Sequence, residues 1–150
     1  MDPDFPLPYA GDGILLDAVT PAAIDVLVGT FVGSPLLHVE IRHLGGALLS
    51  SSPEHGCLET VEQPFLLFTF GLAADAAMKD AVEHHVELVL DRLGPFDSGR
   101  RYLNFTESRV DPSAFYADEA YARLRELRAQ YDPGELFAAN HPIPPANRPG

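Results

Sequence analysis

Residues 118–143 read DEAYARLRELRAQYDPGELFAANHPI, preceded at 101–105 by RYLNF. The spacing predicts one amphipathic helix over Tyr121–Tyr131. Ala120, Leu124, Leu127 and Tyr131 recur three and four residues apart and so share a face. Asp118 and Glu119 lie at its start and Arg123, Arg125 and Arg128 towards its end, the arrangement the helix dipole favours. Glu119 stands four residues before Arg123, the better orientation for such a pair. Asp132 then offers a cap, Pro133 a first helical position and Glu135 a capping-box partner, which predicts a second, short helix.

The remaining elements follow from the chain in order. Residues 1–13 hold three prolines and two glycines and are expected to be irregular. Thr20 and Pro21 start a helix with Ile24, Leu27, Val28 and Phe31 as its apolar stripe, ended by Gly33 to Pro35. In LLHVEIRHLGGALLS, His38, Glu40 and Arg42 alternate with Val39, Ile41 and His43, which predicts a half-buried strand continuing through Ala47 to Ser50. Ser50 to Gln63 is a loop. Pro64 to Gly71, PFLLFTFG, reads as a strand buried on both faces. Ala73 to Leu93 is the longest helix, with Ala74, Ala77, Met78, Ala81, Val82, Val86, Val89, Leu90 and Leu93 inward. His84 and Glu87 share a face of it, but their spacing is not that of a two-histidine zinc motif, so a solvated polar face is the reading and no metal is expected. Tyr102 to Phe105 is expected to be a strand. The sum is an α+β fold: an antiparallel sheet with helices packed on one face and a C-terminal helical extension.

Composition narrows the function classes. The chain has 150 residues, 46% of them hydrophobic, and a net charge of −12. Such an acidic surface does not neutralise phosphates, so neither nucleic acid nor an anionic membrane is an expected partner. Cys57 is the single cysteine, which excludes an internal disulfide and a multi-cysteine zinc site. No neighbouring Lys, Arg or helix start activates its thiol, only His55 is near, and it is read as inert. No apolar run approaches the ~20 residues of a membrane span, and the first residues do not form a signal peptide, so a cytoplasmic location is expected.

The order of pieces in the last third carries a resemblance. Tyr102-x-Asn104-Phe105 comes first, then an aromatic loop with Tyr116 and Tyr121. Arg123, Leu124, Arg128 and Tyr131-Asp132-Pro133 follow, with Leu136, Phe137, Asn140 and Ile143 behind them. This resembles the C-terminal segment of the berberine bridge enzyme-like flavoproteins, FAD-linked oxidases of the vanillyl-alcohol oxidase superfamily. The run IRHLGGAL at 41–48 is similar to the substrate domain of bacterial members, where the sheet roofs the flavin.

The resemblance implies that residues 1–99 are part of a substrate domain, 100–143 the berberine-like C-terminal segment and 144–150 a frayed tail. It implies oxidation of a small-molecule substrate by hydride transfer to FAD, with molecular oxygen reoxidising the cofactor. The FAD would be bound mainly by a domain absent from this chain, so that the partner is a flavin-binding half or a second copy. The chain is then expected to be a fragment or one half of a split enzyme, inactive by itself. Asn104 and Tyr102 are the expected cofactor contacts, and His38, Glu40, Arg42 and Thr69 the expected substrate-facing residues; a wet strand face with an ion pair remains open for the first three. Several relatives carry Tyr where this chain has Phe105, and phenylalanine cannot act as a base. That leaves Tyr102, or a residue outside this chain, as the candidate catalytic group. The alternative is a non-enzymatic α+β binding module that kept the fold without the flavin.

Overall fold

Phe65–Leu72 forms the middle strand of a three-stranded antiparallel sheet in the computed structural model, which describes residues 7–52 and 54–146. In chain order the elements are β1 (Tyr9–Leu16), α1 (Pro21–Phe31), β2 (His38–His43), β3 (Phe65–Leu72), α2 (Ala76–Leu93) and α3 (Asp118–Tyr131), with short 3-10 turns between them. The strand order is β1-β3-β2, so β3, the most apolar strand, has a neighbour on each side. The α+β class, the antiparallel sheet and the C-terminal helix agree with the sequence.

Residues 7–44 and 63–107 pack as one compact unit, and residues 45–62 and 108–146 as another. In the first unit, Ala10, Ile14 and Leu16 of β1 and Leu67 of β3 meet Ala23 and Leu27 of α1 and Val82, Val86, Val89 and Leu93 of α2. All of these are buried. Fully burying one such large aliphatic side chain contributes about 1.5–3 kcal/mol. Thr20 caps α1 by accepting from the Ala23 amide at 3.2 Å, and Asp75 caps α2 by accepting from Met78 at 2.8 Å.

Several expectations are corrected here. Residues 9–13 are strand, not irregular chain. Their glycines mark a close approach: a Cβ on Gly13 would stand 2.7 Å from the Phe105 carbonyl and 2.8 Å from that of Leu67. Helix α1 is turned relative to its expected stripe, burying Ala23, Leu27 and Thr30 while Ile24, Val28 and Phe31 are exposed. Thr30 can be buried because its hydroxyl donates to the Val26 carbonyl at 2.8 Å and its own carbonyl accepts from His85 of α2 at 2.7 Å. Helix α2 starts at Ala76, and its early stripe members Ala77, Met78 and Ala81 are exposed. Ala47 to Ser50 is not strand, because Gly45 and Gly46 take φ of 148° and 56° and lead into a 3-10 turn over Gly46–Leu49. Tyr102 to Phe105 is also no strand but runs into a 3-10 turn over Leu103–Phe105.

In the second unit, α3 begins at Asp118, earlier than its apolar spacing suggests. Arg123 pairs with Glu126 at 2.9 Å rather than with Glu119. Tyr131 is 73% exposed and leaves the expected stripe. The second short helix does not form, since Glu135 adopts φ 51°. Asp132 still acts as a cap: its carboxylate accepts the amides of Leu136 at 2.7 Å and Phe137 at 3.1 Å and pairs with Arg128 at 2.6 Å. Burial pushes the Asp132 carboxyl up, but those amides and the Arg128 charge outweigh it and hold its pKa below the usual value. Phe115 is buried edge-on against His141, with ring centroids 4.7 Å apart. Of the tail expected to fray, residues 144–146 are held, with the Ala146 amide donating to the Arg125 carbonyl at 3.0 Å; residues 147–150, like residues 1–6 and Pro53, lie outside the described residues.

Candidate functional site

The alternation of strand side chains gives the sheet two unlike faces. One is the core just described. The other carries Tyr9, Gly11 and Gly13 of β1, Leu66, Phe68 and Phe70 of β3, and His38, Glu40 and Arg42 of β2. The register places His38 opposite Phe70, Glu40 opposite Phe68 and Arg42 opposite Leu66. Gly11 lies opposite Phe70 and Gly13 opposite Phe68, so β1 leaves this face bare beside the two rings.

The rings form a continuous row. Tyr9 meets Phe70 edge-on at 5.6 Å, His38 stacks on Phe70 at 5.1 Å, Phe68 lies 5.8 Å from Phe70, and Phe105 stands edge-on to Phe68 at 5.4 Å. Tyr102 continues the row at 5.6 Å from Phe105. The Arg42 guanidinium sits 4.8 Å from the centre of the Phe105 ring, a cation–π placement. Arg42 also pairs with Glu40 on its own strand, and His38 Nε2 approaches the same carboxylate at 3.4 Å. The Arg42 hydrogen bond holds the Glu40 carboxyl below its ordinary pKa.

Residues 97–107 are fastened to β1 by three hydrogen bonds and braced by an ion pair of their own. Ser98 donates to the Leu15 carbonyl through both its amide (3.0 Å) and its hydroxyl (2.8 Å). Arg101 grips the Asp97 carboxylate with two nitrogens at 2.9 Å each. The Glu107 amide donates at 3.0 Å to the buried Asp12 carboxylate, which also takes the Gly13 amide at 2.9 Å. Together these hold the turn carrying Phe105 and Asn104 at the bare strip of β1.

The expected site residues therefore separate. His38, Glu40, Arg42, Tyr102 and the Phe105 position share the open side of the sheet. Asn104, in the adjoining turn, is exposed, and no hydrogen bond of its side chain is found among the described residues. Thr69 belongs with neither group: it pairs with Val39, falls on the helix-packed side, is fully buried and donates its hydroxyl to the His38 carbonyl at 2.9 Å. A one-residue step along a strand reverses the face, and that step divides Thr69 from Phe68 and Phe70.

Two residues of this face are not marked out by the sequence, Tyr9 and Glu107. Glu107 and then burial push the Tyr9 phenol above its ordinary pKa. Tyr9 lies in a stretch of prolines and glycines, and no local spacing links it to Glu107. Among the described residues no three His, Cys, Asp or Glu side chains gather where they could share a metal ion. Cys57 is exposed. Among the described residues no helix is long and apolar enough to cross a membrane.

The open face offers the half-buried rings of Phe68 and Phe70 and the exposed Asn104 in the adjoining turn, while Gly13 beside them is buried against the Phe105 carbonyl. The pyrophosphate and adenine of a dinucleotide do not find a match. Gly45–Gly46, the one glycine pair in the sequence, opens onto a four-residue 3-10 turn rather than an α-helix.

Residues 101–144 match the protein family described as "Berberine and berberine like". The FAD-linked oxidoreductase tazG of Aspergillus terreus is 30% identical over 77 residues, covering 49% of this chain and 16% of that protein. The fold is that of Physcomitrella patens BBE-like 1, with a TM-score of 0.82 at 14% identity, over 98% of this chain and 32% of the other. It is also that of aclacinomycin oxidoreductase, with a TM-score of 0.73 at 16% identity, over 92% and 32%. These matches relate the chain to the berberine bridge enzyme-like FAD-linked oxidoreductases, as its motifs imply. The chain spans about a third of the length of the solved relatives and less of the fungal one.

Proposed function

We propose that this chain is the substrate-side portion of an FAD-dependent oxidoreductase and that the open face of its sheet covers the flavin ring. The flavin accepts a hydride when bound; this chain's residues position it and the substrate. His38, Glu40 and Arg42 line the substrate side and Asn104 donates to, and accepts from, the polar edge of the ring. Tyr102 contacts the cofactor and stands near the reacting atoms. The observation that carries the reading is the pairing of the berberine-like segment with an open ring-lined face whose edge amide is unengaged.

FAD is held mainly by a flavin-binding part outside these 150 residues, supplied by a second polypeptide or by more of the same one. The share of its relatives that the chain covers supports this division. The reading is tested by co-expressing the chain with a flavin-binding half encoded beside it. A co-purifying yellow complex is the expected result, and two colourless proteins that elute apart would contradict it. Purified alone, the chain should be colourless, because one wall over the ring does not offset the ~4–15 kcal/mol cost of fixing a flexible ligand.

A further inference from the structure

We propose that the outer edge of β2 is a self-recognition surface, on which a second copy of this chain adds its own β2 antiparallel, with Ile41 facing Ile41 across a two-fold axis. The inference stands apart from the flavin reading and begins with the two edges of the sheet, which are not alike. That of β1 is covered: the Leu15 carbonyl takes the Ser98 amide at 3.0 Å, the Asp17 amide donates to the Phe96 carbonyl at 3.3 Å, and Leu16 bridges to Asp97. β2 has β3 on one side and no strand on the other. Backbone groups of an antiparallel strand point alternately to its two sides. The Leu44 amide donates to the Pro64 carbonyl at 2.8 Å, and the register continues that pairing as Arg42–Leu66, Glu40–Phe68 and His38–Phe70. Those residues bond to β3, so Val39, Ile41 and His43 turn their amides and carbonyls outward. No hydrogen bond of these outward groups is found among the described residues.

An unpaired row of backbone groups is a template for another strand, and natural edges are blunted by proline, lysine or a bulge. This one has none of them: HVEIRH contains no proline or lysine and pairs with β3 without a break in register. Ile41 lies on the helix side of the strand and is still 37% exposed, so a further strand would cover apolar surface as well as backbone.

The order of the residues selects the occupant. Val39-Glu40-Ile41-Arg42-His43 is complementary to itself when reversed. About a two-fold axis at Ile41, Val39 meets His43 and Glu40 meets Arg42 of the second copy. Every outward amide and carbonyl of the strand then finds a partner, 39 with 43 and 41 with 41. Glu40 and Arg42 fall at the non-hydrogen-bonded positions, where facing side chains come closest. They are already paired within one copy, so the four side chains alternate in sign around the axis. The neighbouring registers are rejected by charge: a shift one way sets Glu40 against Glu40, and a shift the other way sets Arg42 against Arg42. In the first half of a chain whose net charge is −12, Arg42 is the only Lys or Arg, so Glu40 of a second copy has no other such cation there to face. The two sheets become one, with both open faces on the same side.

The test is sedimentation equilibrium of the full chain, with amide hydrogen exchange at the same concentrations. One strand pair is a small interface, so a reversible dimer should form between about 1 μM and about 1 mM. As it forms, exchange at the Val39, Ile41 and His43 amides should slow about tenfold or more. Glu40→Arg sets Arg against Arg42, and Arg42→Glu sets Glu against Glu40, so each variant alone should stay monomeric. Mixed together, the two variants restore opposite charges at both positions and should associate at least about tenfold more tightly than either alone. Ile41→Pro removes an outward amide that β3 does not use; it should keep the fold and abolish the dimer. A chain that stays monomeric throughout, a dimer whose outward amides exchange as in the monomer, or a mixture no tighter than its components would each overturn the proposal. So would a flavin-binding partner whose own strand protects these amides in place of the second copy.

Discussion

The two faces of the sheet are made from the same three strands and obey opposite rules. On the helix side Ala10, Ile14, Leu16 and Leu67 are closed over by α1 and α2; even Thr69 is fully buried there, its hydroxyl spent on the His38 carbonyl. On the open side β1 contributes glycines where a core would have side chains, the rings of Phe68 and Phe70 are only half-buried, and the polar groups are left within reach. From Leu67 to Phe70 the difference teaches that burial alternates along one strand, with Leu67 and Thr69 closed off and Phe68 and Phe70 half-buried, whereas Leu66 is buried on the other side as well. Between Leu67 and Phe70, a substitution's effect should depend on parity along β3 more than on side-chain size.

The largest effect expected on the helix side is Leu67→Ala, a loss of about 2–5 kcal/mol by denaturant unfolding. A loss no greater than that of His38→Ala on the open side would break the comparison. Gly13→Ala comes next although it lies on the open side. Its Cβ would meet two carbonyl oxygens at 2.7 and 2.8 Å, so a cost of about 1–3 kcal/mol is expected, with amide shifts at Phe105. Unchanged stability would mean that the 103–105 turn does not rest on β1.

Two pH windows sharpen the contrast. The folded pKa of Tyr9 is raised, so its contribution is complete below the unfolded value of about 10 and is lost as pH rises through the folded one. Tyr9→Phe should flatten the alkaline limb of the melting curve. Asp132, in the second unit, behaves in the other sense. Its folded pKa is lowered, so its contribution is present above the unfolded value of about 4 and is lost as pH falls through the folded one. Asp132→Asn should flatten only the acid limb. The smallest effect belongs to Arg42→Ala, within about 1 kcal/mol, since exposed ion pairs such as Glu40–Arg42 contribute little.

Much of this fold is legible in the residues themselves. The cap at Thr20 and the polar alternation of β2 point to the right elements, and the apolar run of β3 marks the middle of the sheet. The departures share a physical cause. Gly11 and Gly13 look like turn residues because a sequence does not show that another backbone presses on them. The buried face of α1 differs from its apolar stripe because Thr30 meets its hydrogen-bonding needs inside its own helix and can therefore be buried. The residues after α3 have the right chemistry to cap a short helix, but Asp132 spends its oxygens on a turn. At the site, period two groups His38, Glu40 and Arg42, yet it cannot assign Thr69 without the cross-strand register. Asp12 and Glu107 meet only through tertiary structure, and nothing local announces that contact.

The claim that the open side meets a flavin is tested most directly at Asn104, which is exposed, whose side chain forms no hydrogen bond found among the described residues, and which should matter only to what binds there. The measurement is the rate of flavin reduction in a reconstituted complex carrying Asn104→Ala, set beside the melting temperature of the same variant. The account predicts a melting temperature like that of the parent and reduction slowed about tenfold or more, the effect of removing a well-placed charge-stabilising donor. An unslowed reduction with intact stability, or a loss of folding with the rate per folded complex unchanged, would contradict it.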